Sequence, residues 1–194
     1  MSYVVDEVHG VTVLDNIIYV VCELSSTILL YNTDTYSPLD VVINVTGMTD
    51  PRDMVVCRDD RQLYVADWGS LFGPDCIWRV SADDHSDQEK WLPTESTTDT
   101  FHVRRLSVTS RRLLVTSWRP PSLHEYSTTD RQLLRVVQLP GYVKRLFHGV
   151  ETTRGTFVIG HEGTAQDELQ FAVSELITGR FCHTISNIDN DLFW

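Results

Sequence analysis

Charged residues gather just ahead of apolar runs in this chain: Glu7 and His9 before Gly10–Leu14, Arg52 and Asp53 at the head of Met54–Cys57, Arg104 and Arg105 before Leu106–Thr109, and Lys144 and Arg145 before Leu146–Val150. Residues of these types could do three kinds of chemistry. Carboxylates could hold a hard cation, which takes six or so oxygen ligands. Glu7, Asp53 and Asn190 stand near strand starts without forming a recognisable set, and the basic pairs Arg104–Arg105 and Lys144–Arg145 at equivalent places would repel a metal. A histidine could activate a nucleophile, but His148 and His161 flank one hairpin with no Ser or Cys spaced to pair with them. Thiols could bind zinc or cycle redox state. Cys22, Cys57, Cys76 and Cys182 lie far apart with no C-x-x-C pair, so neither a zinc knuckle nor a redox dithiol is suggested. They read as small buried hydrophobes. Their even number also permits two disulfides in a secreted chain, with Cys57 and Cys76 in the same repeat. No catalytic residue, metal ligand or cofactor site is assigned.

The elements that must carry these residues are strands. Four apolar runs each follow a short polar turn: Ile18–Cys22, Leu63–Asp67, Leu113–Ser117 and Thr156–Gly160. Their starts are 45, 50 and 43 residues apart, the spacing of a four-stranded unit rather than a helical hairpin. A strand leads into each run: Gly10–Leu14, Arg52–Cys57, Leu106–Thr109 and Leu146–Val150. The connections are rich in Asp, Asn, Ser, Arg and Gly, as tight hairpins require. A third strand follows at Thr27–Tyr31, Cys76–Val80, Leu123–Tyr126 and Gln170–Ser174, and a fourth at Leu39–Ile43, Glu89–Leu92, Leu133–Val137 and Arg180–Ile185. Their alternation has period two and favours β-branched and aromatic residues. The one stretch that tempts a helix, Thr164–Leu176, reads as a long loop entering a strand.

An antiparallel meander repeated every 46 residues or so can bury both faces of each sheet by stacking the sheets around an axis. The expectation is therefore an all-β chain: a β-propeller of four four-stranded antiparallel blades, near residues 9–48, 51–96, 102–140 and 143–188, in a single domain. At 194 residues the chain is long enough for one core or one row of small cores. A formal net charge of -11 argues against nucleic acid as a partner, since binders of phosphate backbones usually present a basic face. No stretch approaches the 20 or so apolar residues that span a bilayer and no targeting signal is visible, which leans towards the cytoplasm.

Pro51-Arg52-Asp53-Met54-Val55-Val56, then Leu63-Tyr64-Val65-Ala66-Asp67, then Ile77-Trp78-Arg79-Val80, resembles a blade of the NHL-repeat and related six-bladed propellers. The first repeat keeps Ile18-Tyr19-Val20-Val21 but has Glu23 near the acidic position, which is Ser117 in the third repeat and Gly160 in the fourth. The resemblance implies a larger six-bladed ring, or an arc closed by self-association, because open ends would expose apolar sheet faces. It also implies that function sits on loops at one mouth of the channel. Arg52, Asp53, Arg104, Arg105, Lys144 and Arg145, with Glu7 and His9, are then the candidates for a rim that binds a protein partner. Ordinary solvated charge is the plainer reading of any one of them. The competing reading is a calcium-dependent hydrolase of the lactonase or arylesterase kind, also six-bladed propellers. Trp68, Trp78, Trp91 and Trp118 could form an interaction surface, although packing between sheets is the commoner use of such side chains. Asn44-Val45-Thr46 matches a glycosylation acceptor, which matters only in a secreted protein.

Overall fold

The computed structural model describes residues 7–69, 75–92, 102–139, 141, 143–162, 171–177 and 180–186, with side chains up to His161, Gln138 aside. All sixteen expected strands are present, and among the described residues there is no helix. The first sheet holds β1 (Val8–Leu14), β2 (Ile17–Cys22), β3 (Thr27–Asn32) and β4 (Pro38–Asn44); the second holds β5 (Pro51–Cys57), β6 (Gln62–Asp67), β7 (Cys76–Ser81) and β8 (Gln88–Leu92). The third holds β9 (Val103–Thr109), β10 (Arg112–Trp118), β11 (Pro121–Ser127) and β12 (Leu133–Gln138); the fourth holds β13 (Arg145–Glu151), β14 (Phe157–Glu162), β15 (Phe171–Ile177) and β16 (Arg180–Ser186). Each is an antiparallel meander in chain order. Part of the stretch that tempted a helix is β15; residues 163–170 lie outside the described residues.

The repeats agree in detail because their turns use the same chemistry. The hairpins between first and second strands bend through left-handed residues, Asp15 at φ 52°, Arg61 at 52°, Ser110 at 51° and Gly155 at 74°. At the turns between third and fourth strands, Asn32 accepts the N–H groups of Asp34 and Thr35, Ser81 Oγ those of Asp83 and Asp84, and Ser127 Oγ those of Thr129 and Asp130. Register slips recur between third and fourth strands in all four sheets, at Leu29/Tyr31, Ile77/Trp78, Glu125/Tyr126 and Glu175/Leu176. The slip falls towards the end of the third strand in sheets one, three and four and near its start in sheet two, and each bulge adds local twist.

The chain divides into two compact units, residues 1–106 and 107–194. In the first, Val21, Ile28, Ile43, Tyr19 and Leu30 of sheet one pack with Met54, Val56, Leu63, Val65 and Val80 of sheet two. Gly10 sits where β1 approaches β5 so closely that a Cβ would lie 2.7 Å from the Met54 backbone nitrogen. In the second unit, Leu114 and Leu123 pack with Val143, Leu146, Phe157 and Ile159. Cys22, Cys57 and Cys76 are buried free thiols. Cys57 and Cys76 cannot bridge: Cys57 pairs with Gln62, at the start of β6, and Cys76 with Asp67, at its end. The side chain of Cys182 lies outside the described residues.

Candidate functional site

The inner strands β1, β5 and β9 present unpaired edges, whose backbone N–H and C=O groups need partners. Side chains at the strand heads in the first unit supply them. His9 Nδ1 lies 3.3 Å from the Pro51 carbonyl, Arg105 donates to the Arg52 carbonyl, and Asp53 Oδ2 accepts the Leu106 N–H at 2.7 Å. The second unit does the same with neutral groups: Gly149 N–H donates to Thr116 Oγ1 at 3.1 Å, and Ser107 Oγ donates to the Gly149 carbonyl at 3.0 Å.

Around these seams lies an open cleft of about 130 Å³ lined by His9, Arg52, Trp68, Arg104 and Arg105. Arg52 is fixed from three sides. Its Nη2 donates to Asp50 Oδ2 at 2.7 Å, its Nη1 stands 3.0 Å from Glu23 Oε1 and 3.2 Å from His9 Nδ1, and its guanidinium lies 4.5 Å from the centre of the Trp68 ring. Trp68 is held by its indole N–H, which donates to the Val103 carbonyl at 2.7 Å. The Arg105 side chain is 42% exposed, and Asp53 is the carboxylate that reaches it among the described residues, at 4.0 Å.

The strand-head residues named from sequence thus fall into two groups. Arg52, Arg104 and Arg105 meet at one cleft in the first unit, and Asp53 lies behind it bound to backbone. These four occupy the first positions of β5 and β9 rather than loops, because β9 begins at Val103. Lys144 and Arg145 belong to the second unit; both are exposed, and Lys144 Nζ donates to the Gly141 carbonyl at 2.9 Å. Asn190 lies outside the described residues.

Glu7, His9 and Glu23 bring their ligand atoms within 4.8 Å of one another, close enough to share a metal ion. The Arg52 guanidinium is already there, 3.0 Å from Glu23. Two carboxylates and an imidazole beside a fixed cation suit calcium poorly, since that ion wants an all-oxygen shell.

Three arrangements escaped sequence reading. The Asp67 carboxylate is 1% exposed and accepts the N–H groups of Asp50 at 2.7 Å, Thr49 at 3.1 Å, Gly69 at 3.1 Å and the Trp78 indole at 3.0 Å. It ties the loop before β5 to the end of β6. The signal was the Tyr-Val-Ala-Asp ending, which marks a strand without revealing what its last residue holds. Next to it, Asp75 faces His102 at 3.4 Å, and burial raises its carboxyl to about 6 against the pull of that histidine. Cys76 is pushed up to about 12 by burial and by the Asp67 charge, so its thiol is inert. Third, Ser122 Oγ and His124 Nε2 lie 2.9 Å apart on β11. Ser122 is only 1% exposed and also donates to the Pro120 carbonyl, so no substrate can reach this pair.

No family model matches the chain, and no curated protein matches it. Solved structures do. Hydrazine synthase from Kuenenia stuttgartiensis aligns with a TM-score of 0.68 at 13% identity, over 96% of this chain and 51% of that one. The chain therefore spans about half the length of that match. A chain of a nidogen/laminin complex aligns with a TM-score of 0.62 at 12% identity, over 92% of this chain and 80% of that one. Both contain β-propellers. The fold is that of a β-propeller. At such identities the likeness carries the fold alone, and the four repeated meanders agree with it.

Proposed function

We propose that this is a non-catalytic protein-interaction module of the NHL-repeat kind, binding a protein partner at the heads of its inner strands. The observation that carries the reading is the cleft that Arg52, Arg104, Arg105 and His9 line together with Trp68. Arginine and tryptophan are the side chains that most often anchor partners. Trp78 is bonded to Asp67, and Trp91 is 1% exposed and packs edge-on to Tyr64 with ring centres 5.1 Å apart, whereas Trp68 borders the cleft. A similar solved structure, a chain of a nidogen/laminin complex, has this fold in a protein–protein assembly, which supports the reading. Self-association belongs to it as well, because Val11 and Val42 on one face of sheet one are 55% and 57% exposed.

The test is site-specific photo-cross-linking in the cells that make the protein. A photo-reactive side chain at Glu7, beside the cleft, gives a discrete protein adduct that disappears with Arg105→Glu, and the same probe at Arg154 on an exposed turn gives none. Equal adducts from both positions count against the rim. The calcium-dependent hydrolase remains the second reading, supported by Glu7, His9 and Glu23 and weakened by Arg52 among them.

A further inference from the structure

We propose that the ligand of this cleft is a carboxylate on an acidic segment of the partner protein, an Asp or Glu side chain gripped by Arg105 with its stem against Trp68. The inference rests on the interaction reading above and adds the chemistry of the partner.

The lining decides the sign of the ligand. Three guanidiniums and an imidazole are hydrogen-bond donors, Trp68 is an apolar wall, and among the described residues no carboxylate lines the cleft. Among the described residues the nearby acids other than Glu7, which is exposed and stands 3.7 Å from His9, are already engaged. Asp50 and Glu23 hold Arg52, and Asp53 accepts the Leu106 N–H. Arg52 is thereby a fixed, neutralised back wall. Arg105 is different: one N–H goes to the Arg52 carbonyl, Asp53 is 4.0 Å away, and the side chain is 42% exposed. Its remaining N–H groups form a fork suited to a two-oxygen acceptor.

The wall decides the kind of anion. The Trp68 ring is locked by its indole bond to Val103 and by Arg52 over one face, so the part of it that lines the cleft is apolar and needs no further ordering. An Asp or Glu side chain has a methylene stem to lay there, and inorganic phosphate has none. The molecule's net charge of -11 opposes approach by a polyanion, so a short-range contact with a few acidic side chains fits better than a phosphate polymer. A cleft of about 130 Å³ takes one such side chain.

The test uses the full chain, with the indole N–H resonance of Trp68, assigned from Trp68→Phe, as the reporter. The probes are the peptide acetyl-Gly-Glu-Gly-Glu-Gly-amide, the same peptide with Gln for Glu, and inorganic phosphate. The acidic peptide shifts the resonance saturably, and its apparent dissociation constant rises several-fold between about 50 and about 300 mM salt. Arg105→Gln weakens it about tenfold. Arg105→Lys keeps a donor for the Arg52 carbonyl while losing the fork, and weakens it similarly. Arg154→Gln leaves it unchanged. Three results overturn the assignment: an unmoved resonance, equal binding of the Gln peptide, or phosphate binding more tightly than the acidic peptide. Each does so without touching the interaction reading, which the cross-linking at Glu7 decides separately.

Discussion

Asp67 shows how one buried charge can be worth its desolvation. Hydrogen bonds to an ionised group contribute roughly 1.5–3 kcal/mol each, and this carboxylate collects three backbone donors and an indole. Asp67→Ala strands those donors in a buried place, and a loss of about 3 kcal/mol or more in urea unfolding is expected. Asp75 carries the opposite sign. Its folded pKa, about 6, lies above the ordinary 3.8, so the folded state holds the proton longer and loses stability as pH rises from about 4 through about 6. The groups facing it are His102, the Val103 N–H, Asp67 and Cys76. Asp75→Asn removes this contribution, so the variant's urea midpoint should fall less than that of the wild type between pH 4 and pH 7. A parallel decline in both proteins would show that Asp75 does not titrate in this way.

The strands were the most legible elements, since sixteen alternating runs each had a partner run and a polar turn at the expected distance. Their edges were less so. β9 begins at Val103, three residues ahead of its apolar run, because Arg104 and Arg105 sit within a strand while looking like loop charge. The bulges left no trace in residue type, since register depends on which carbonyl meets which N–H. Long-range ion pairs were equally silent. In the second unit Glu125 of β11 and Glu151 of β13 are bridged by two arginines: Arg112 reaches them at 2.9 and 3.2 Å, while Arg135 bonds Glu125 and reaches Glu151 at 3.0 Å. Arg135 also lies 4.6 Å over the Phe157 ring. Four residues from four strands, all in unremarkable local sequence, thus join the third sheet to the fourth. Glu125 is 3% exposed, so Glu125→Ala leaves two arginines with half their neutralising charge and should cost about 3 kcal/mol in urea unfolding. A cost near zero would mean that water replaces the pairing.

For the whole molecule, the period of the repeat foretold the architecture, and the candidate cleft was only half foretold. Arg52, Arg104 and Arg105 were named, but Trp68 was weighed with the other tryptophans, because only folding distinguishes a ring at a cleft from one in a core. The same scale holds the apolar strip on sheet one. Val11, Val20, Leu29 and Val42 oppose one another across its four strands; Val11 and Val42 are 55% and 57% exposed, while Leu29 is half-buried and Val20 is buried. The reverse face, with Val21, Ile28 and Ile43, is buried in the core. Self-association through that strip predicts a mass in sedimentation equilibrium that rises with concentration, and a monomer on Val42→Asp; a wild type that stays monomeric at high concentration would count against it.

The account turns on whether the charges at the strand heads are committed to one another and to backbone, leaving a rim for a partner, or are poised to hold a cation. Calorimetric titration of the protein with calcium asks this most directly. With Arg52 seated between Glu23, Asp50 and His9, no submillimolar binding is predicted, and binding in that range, abolished by Glu23→Gln, would contradict it.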